Sequence, residues 1–234
     1  MLMTSSSNTT SRIECAAVLF DLDGVLVDST AYIERQWREW ALEKKLDPDP
    51  FLRYCHGRRA VETIRLAAPW LDADAEVAQF GEHRVEEEVP LAALPGAREL
   101  LAALPASRWA VVTSGVRSFA LARLAGADLP EPRVLVSAED VREGKPSPDG
   151  YLRAAELLGV PPSACLVLED APAGIEAARA AGAIVIALST THPASSLAGA
   201  RLVLGSLADV HLIGSPRDGR PLSLELDAGS VILA

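Results

Sequence analysis

Cysteine, aromatic residues and positive charge are all scarce in this chain, and each scarcity disfavours a class of protein. The three cysteines, Cys15, Cys55 and Cys165, show no C-x-x-C spacing, which argues against a disulfide framework and a structural zinc site. Aromatic residues make up 5% of the chain, too few for the stacking surfaces that bind bases. Lys and Arg number 22 against 32 Asp and Glu, and this net charge of −10 disfavours a partner that is nucleic acid or an anionic membrane.

Long hydrophobic runs and a secretory signal are also missing. The longest apolar run near the C-terminal half covers residues 183–188, which is too short to span a bilayer. Residues 1–12 are rich in Ser and Thr without the apolar stretch of a signal peptide, and they are predicted to form a disordered leader. Together with the cysteine pattern, these features predict a cytoplasmic protein without a membrane partner.

The sequence has 234 residues, of which 49% are hydrophobic, enough for one domain or for one domain with an inserted second. Continuous apolar runs typical of buried strands alternate with helical patterns, and these runs are residues 16–20, 109–112, 134–136, 164–168, 183–188 and 202–204. The alternation predicts an α/β fold, a Rossmann-like, doubly wound parallel sheet with helices on both faces. We assign residues 13–28 and 95–234 to this core domain, whose tail from residue 212 onward could form a β-hairpin.

Residues 29–94, called the insert below, show no confident strand pattern. Helical periodicity covers residues 30–46, 60–68 and 73–89, and prolines separate these segments. The sequence therefore predicts a helical domain inserted after the first core strand.

Polar side chains follow the predicted core strands where each strand ends. They are Asp21, Asp23, Thr113, Ser114, Glu169 and Asp170, and Lys145 stands on a proline-stiffened loop. Because ligands of an open parallel sheet bind beyond the carboxyl ends of its strands, we expect one shared site. Several carboxylates with a hydroxyl and an ammonium group suit phosphoryl transfer: oxygen ligands select Mg²⁺, one aspartate attacks phosphorus and another moves protons.

Four ordered motifs resemble those of the haloacid dehalogenase-like (HAD) hydrolase superfamily. They stand as DLDGV at 21–25, VVTSG at 111–115, GKPSP at 144–148 and LEDAPAG at 168–174. The resemblance implies that Asp21 is the nucleophile and Asp23 the general acid and base. Dehalogenases lack this second aspartate, so the resemblance favours a phosphoric monoester hydrolase.

The same resemblance implies roles for the other motif residues. Thr113, Ser114 and Lys145 would bind the phosphate. Mg²⁺ would be held by Asp21, by the backbone carbonyl of Asp23 and by Asp170, with Glu169 either a ligand or a neighbour of the metal.

The insert lies where this superfamily carries its helical C1-type cap. The stretch HGRR at 56–59 resembles the glycerol-phosphate and 2-deoxyglucose-6-phosphate phosphatases, so His56, Arg58 and Arg59 are candidate substrate contacts. The related β-phosphoglucomutases carry an arginine at about the place of Ala60, and its absence here favours a phosphatase. The implied partner is a small phosphorylated sugar or polyol.

Two other functions remain open at this point. One is an isomerase that moves a phosphate between positions of a sugar, and the other, from a different class, is a signalling receiver domain that carries a phosphorylated aspartate. Asp23 and the insert weigh against the receiver. The sequence leaves the exact substrate and the oligomeric state open, and a monomer is possible.

Overall fold

The apolar runs of the sequence form the strands of a parallel sheet. The computed structural model describes residues 11–82, 91–214 and 220–227. Its strands are β1 (Ser11–Cys15), β2 (Ala17–Phe20), β3 (Val27–Asp28), β4 (Ala92–Ala93), β5 (Trp109–Val112), β6 (Leu135–Val136), β7 (Cys165–Glu169), β8 (Ile184–Leu188), β9 (Leu202–Leu204), β10 (Val210–Leu212) and β11 (Leu222–Leu226). Its α-helices are α1 (Thr30–Glu43), α2 (Asp49–Leu52), α3 (Ala60–Ala67), α4 (Ala73–Glu82), α5 (Ala97–Ala103), α6 (Arg117–Gly126), α7 (Asp149–Leu158) and α8 (Pro172–Ala180).

Six of these strands make the central sheet, in the order β6-β5-β2-β7-β8-β9 with every neighbour parallel. The chain winds from β2 through β5 to β6 and then crosses to β7, β8 and β9 on the other side, which confirms the doubly wound sheet. Val18 and Phe20 pack into one hydrophobic core, whereas Ala17 and Leu19 pack into a second. Both faces of the sheet are therefore covered, which explains why its strands are apolar at every position.

Helices α1 to α4 occupy the insert and enclose a third apolar cluster. The Trp37 ring stacks on Phe51 with centroids 5.8 Å apart, and Trp40 meets Phe51 edge-on at 5.1 Å. Helix α1 ends three residues before the predicted end, and Lys45 just beyond it has a positive φ of 58°. The predicted helix over 73–89 is described only to Glu82, and its remainder lies outside the described residues.

Short pairings at the edges of the insert and the core were not predicted. Strand β4 lies within the insert, where no strand was expected, and pairs with β3 over two residues. So short a strand has no periodicity to detect. Ser11 and Arg12, assigned to the disordered leader, instead belong to β1 because they pair with Leu226 and Glu225 of β11.

The predicted hairpin over residues 212–234 is only partly matched, because the strand that pairs with β11 begins at Val210, before the predicted tail. Strands β10 and β11 pair, and β1 joins on the other edge of β11 to make a three-stranded sheet. No helix among the described residues has the length and apolarity to cross a membrane.

Candidate active site

The carboxyl ends of β2, β5 and β7 bring polar side chains into the protein interior. Asp21 follows β2, Thr113 follows β5, and Glu169 ends β7. These three, together with Asp170 and Lys145, are each no more than 5% exposed. Buried charges are costly unless they are paired, so their partners decide what the site can do.

Lys145 joins two of the carboxylates. Its Nζ donates to Asp21 Oδ1 at 2.7 Å, to Glu169 Oε1 at 2.6 Å and to the carbonyl of Val112 at 3.2 Å. Burial alone would lower the pKa of Lys145, but the charges of Asp21 and Glu169 outweigh it and hold that pKa above its ordinary value. For Asp21, burial raises the pKa to about 7 against the attraction of Lys145.

Glu169 is saturated with hydrogen bonds. Its Oε1 accepts from Lys145 and from the buried Tyr151 hydroxyl at 2.8 Å, while its Oε2 accepts the backbone N–H groups of Asp170 at 2.9 Å and Ala171 at 3.1 Å. A Cβ at Gly174 would lie 1.6 Å from Glu169 Oε1, so only glycine leaves room for the carboxylate. The sequence analysis did not predict a role for Tyr151. The sequence does place this tyrosine on the apolar face of a predicted helix, and a buried hydroxyl there needs a hydrogen-bond partner.

The residues that could hold a metal are Asp21, Glu169 and Asp170, whose carboxylate oxygens lie within 4.8 Å of one another. Asp170 Oδ1 is buried and has no hydrogen-bond partner in the described part of the chain. Burial, then the charges of Glu169 and Asp21, raise the pKa of Asp170. Three carboxylates facing one ammonium group leave negative charge uncompensated, and an all-oxygen donor set fits a hard cation such as Mg²⁺.

The turn after β2 passes very close to the Asp170 carboxylate. Gly24 has a φ of 82°, and a Cβ there would lie 2.1 Å from Asp170 Oδ2. Thr191 donates to the same Asp170 carboxylate. Asp170 Oδ2 is thereby occupied, which leaves Oδ1 as the free ligand atom.

The Asp23 side chain is bonded to residues outside the buried cluster. Its Oδ1 accepts from Ser29 Oγ at 2.5 Å, and its Oδ2 pairs with Arg123 Nη1 at 2.6 Å. Arg123, on α6, was not predicted. The structure thus gives the two motif aspartates different partners, an ammonium group for Asp21 and a guanidinium for Asp23.

The two predicted phosphate-binding hydroxyls also differ. Thr113 Oγ1 accepts the backbone N–H of Gly115 at 3.0 Å, whereas Ser114 Oγ donates to the carbonyl of Gly57 in the insert at 3.0 Å. Ser114 therefore links the core to the insert in this state.

The three candidate residues of the insert have three different environments. His56 Nε2 lies 3.4 Å from Glu34 Oε1, and its ring meets that of His192, a core residue that was not predicted, at 6.0 Å between centroids. The Arg59 guanidinium pairs with the carboxylate of Glu62 at 2.6 Å. Arg58 is half-buried and has no side-chain partner among the described residues.

Comparison with known proteins agrees with this geometry. Hexitol phosphatase A of Escherichia coli is 42% identical over 209 residues, which cover 87% of this chain and 97% of that protein. The 2-deoxyglucose-6-phosphate phosphatase 1 of Saccharomyces cerevisiae is 32% identical, with coverage of 86% and 92%. The solved structure of a hydrolase from Pseudomonas syringae is 29% identical with a TM-score of 0.74, covering 83% of this chain and 95% of that one. The family description haloacid dehalogenase-like hydrolase matches residues 15–182, more than half of the chain. The chain therefore belongs to the haloacid dehalogenase-like hydrolases.

Proposed function

We propose that this chain is a Mg²⁺-dependent phosphatase that hydrolyses a small sugar or polyol phosphate through a phosphoaspartate on Asp21. The observation that carries the proposal is the buried Asp21 carboxylate at the end of the central strand, bonded to Lys145 at 2.7 Å and grouped with Glu169 and Asp170. A nucleophile with a fixed counter-charge beside it suits attack on an anionic phosphoryl group. The two relatives named above, which are phosphatases of hexitol and deoxysugar phosphates, support the substrate class.

In the first step Asp21 forms a bond to phosphorus, the bond from phosphorus to the ester oxygen breaks, and Asp23 gives that oxygen a proton. In the second step Asp23 takes a proton from water, whose oxygen displaces Asp21 and releases inorganic phosphate. For both steps the Asp23 side chain exchanges its bonds to Ser29 and Arg123 for contacts with substrate and water. Each role of Asp23 is that of a general acid or base.

The remaining motif residues neutralise and hold the phosphoryl group. Lys145 and Thr113 supply an ammonium group and a hydroxyl for its oxygens, and Ser114 would join them only by giving up its hydrogen bond to the Gly57 carbonyl. Asp21, Asp170 and the Asp23 carbonyl would hold Mg²⁺, and Glu169 would join them only by giving up one of its hydrogen bonds. When bound, Mg²⁺ would supply positive charge that stabilises the negative charge growing on the phosphoryl oxygens in the transition state.

The insert is proposed to act as a cap over the core domain, with residues 29–94 forming the cap and residues 13–28 and 95–234 the core. A cap can exclude water and present side chains to the leaving group. Of the predicted contacts His56, Arg58 and Arg59, we retain His56 and Arg58 as candidates, because the Arg59 guanidinium is already paired with Glu62. The Arg58 guanidinium, which is half-buried and has no partner among the described residues, favours this role in particular.

The test is phosphate release by the purified chain from a hexitol phosphate, 2-deoxyglucose 6-phosphate, glycerol phosphate and p-nitrophenyl phosphate. We expect release with Mg²⁺, none after chelation with EDTA, and inhibition by Ca²⁺, whose larger coordination shell disturbs the approach of Asp21. Activity that survives chelation would remove the metal from the mechanism. Conversion of β-glucose 1-phosphate to glucose 6-phosphate without phosphate release would instead identify an isomerase.

A further inference from the structure

One short segment of the insert contacts two core loops that carry motif residues. The carbonyl of Gly57 accepts from Ser114 Oγ at 3.0 Å, and Arg59 Nη2 donates to the carbonyl of Arg142 at 3.3 Å. Glu62 Oε1 accepts the backbone N–H of Gly144 at 2.9 Å. We call Gly57, Arg59 and Glu62 the cap clamp, because these three residues join the insert to the core.

Glu62 is the centre of this clamp. Its Oε1 pairs with the Arg59 guanidinium at 2.6 Å, and its Oε2 accepts the Arg59 backbone N–H at 3.2 Å. The two side chains are 16% and 19% exposed, so solvent screens the pair only in part. The Arg59 pair thereby fixes the carboxylate that holds Gly144, and charge-assisted bonds of this kind are stronger than neutral ones.

The core loop is shaped to receive the clamp. A Cβ at Gly144 would lie 2.6 Å from Arg59 Nε and from both carboxylate oxygens of Glu62. The loop therefore approaches the insert this closely only because residue 144 is glycine. The next residue is Lys145, whose ammonium group bonds to Asp21 and Glu169.

We propose that Glu62 is a positioning residue that couples closure of the cap to the placement of Lys145. Glu62 touches neither Asp21 nor Lys145, and it acts through the backbone of Gly144. With the cap closed, the Gly144 bond fixes the loop and thus the site from which Lys145 reaches Asp21. The inference rests on the proposed phosphatase function and adds to it the cap residue that completes the catalytic centre.

The first test is the steady-state kinetics of Glu62→Ala in the full-length, Mg²⁺-loaded enzyme. Lys145 acts on charge that grows in the transition state, so kcat is expected to fall about tenfold while KM changes less than about twofold. The loss should be equal for p-nitrophenyl phosphate and for the preferred sugar or polyol phosphate. Glu62→Gln keeps an acceptor for the Gly144 N–H but loses the charge and one of the two acceptor oxygens that bind Arg59, so its kcat should lie between those of the wild type and Glu62→Ala.

A variant on the core side tests the same contact without changing the cap. Gly144→Ala places a methyl group against Arg59 and Glu62 and should reproduce the loss of kcat. If Glu62→Ala does not fold, Gly144→Ala carries the kinetic test. The matched control is Asp74→Asn, which breaks a 2.9 Å pair with Arg65 that stays within the insert and should leave kcat unchanged.

The second test needs no turnover. In ¹⁵N-labelled protein the Gly144 amide should exchange with solvent at least about tenfold faster in Glu62→Ala than in the wild type, and Asp74→Asn should not alter it. Unchanged exchange or unchanged kcat in folded Glu62→Ala would overturn the proposal. A loss confined to sugar phosphates would also overturn it, because it would make Glu62 a leaving-group contact. If the wild type hydrolysed no phosphate ester, the proposed function would fail, and the exchange rates would still show whether the clamp exists.

Discussion

At the residue scale, the buried charges of the site do not balance. The ammonium group of Lys145 pairs with Asp21 and Glu169 but not with the neighbouring Asp170, whose Oδ1 has no partner within the described residues. An interior that keeps such an excess of negative charge is prepared for a cation. Under the proposed function, Mg²⁺ and the Lys145 ammonium group would together offset these three carboxylates and let an anionic phosphoryl group enter, although the chain as a whole carries −10.

Replacement of the nucleophile tests the centre of this account. Asp21→Asn keeps the shape of the side chain but makes it a poor nucleophile and a poor metal ligand, so kcat should fall roughly 10³-fold or more. The circular dichroism spectrum should match that of the wild type. A purified variant that keeps more than about a few per cent of the wild-type rate would refute the assignment of Asp21.

The acid role of Asp23 can be separated from its other contacts by the choice of leaving group. Asp23→Ala should lower kcat by about 10²–10⁴-fold for alkyl phosphates, because the alkoxide must be protonated as it leaves. The loss should be smaller for p-nitrophenyl phosphate, whose leaving group needs little protonation. Equal losses for both substrates would contradict the acid role.

Tyr151 tests how much its hydrogen bond stabilises the buried carboxylate of Glu169. Tyr151→Phe removes the donor to Glu169 Oε1 from a fully buried position, so the free energy of unfolding should fall by about 1–3 kcal/mol in urea denaturation. Tyr54→Phe is the matched control, since Tyr54 is 37% exposed and its hydroxyl makes no hydrogen bond to a described residue. Equal stability of the two variants would show that the Tyr151 bond contributes nothing.

At the element scale, β11 connects the two ends of the described chain. It pairs with β1 on one side and with β10 on the other, and its buried Leu222, Leu224 and Leu226 alternate with more exposed residues. This period of two is typical of a sheet with one buried face. The tail therefore completes the hydrophobic core on one side of the central sheet, to which all three leucines belong.

The contribution of β11 is measurable at its central position. Leu224→Ala removes a fully buried side chain and should lower the free energy of unfolding by about 2–5 kcal/mol. Glu225→Ala, on the other face of the same strand, should change it by less than about 0.5 kcal/mol. Urea denaturation followed by circular dichroism gives both values, and a cost at Leu224 no larger than that at Glu225 would show that β11 does not belong to the core.

At the scale of the whole molecule, the described residues form three apolar clusters, and each contains one cysteine. Cys15 lies in one core cluster, Cys165 in the other and Cys55 in the insert. Burial is the largest cause that raises the pKa of Cys15 and Cys55 to about 12 and that of Cys165 to about 11. Since the thiolate is the reactive form, all three thiols should be inert at pH 8.

Thiol labelling therefore reports the state of each cluster. With Ellman's reagent at pH 8 we expect no reaction in the native protein and reaction of all three thiols in denaturant. Mass-spectrometric mapping during a urea titration should show Cys55 labelled independently of the other two if the insert unfolds by itself. Rapid labelling of any cysteine in native buffer would contradict the packing of its cluster.

The sequence alone determined the central sheet and the group of residues at its carboxyl edge. The predicted core strands match the observed ones to within one residue at either end, because a strand buried on both faces must be apolar throughout. Because the strands run parallel, the ends that carry Asp21 and Glu169 lie at the same edge of the sheet, to which a loop brings Lys145. Local pattern and the geometry of parallel sheets suffice for this much.

Only the tertiary structure decided which distant groups are paired. Arg123 meets Asp23 across 100 residues of chain, and Gly144 meets Glu62 across 82. Arg12 of the assigned leader pairs with Glu225 near the other end of the chain. The sequence shows that a buried polar residue needs a hydrogen-bond or ionic partner, but it does not show which residue that partner is. The packing of one element on another, which excludes water from some pairs and leaves others exposed, selects which partner it finds.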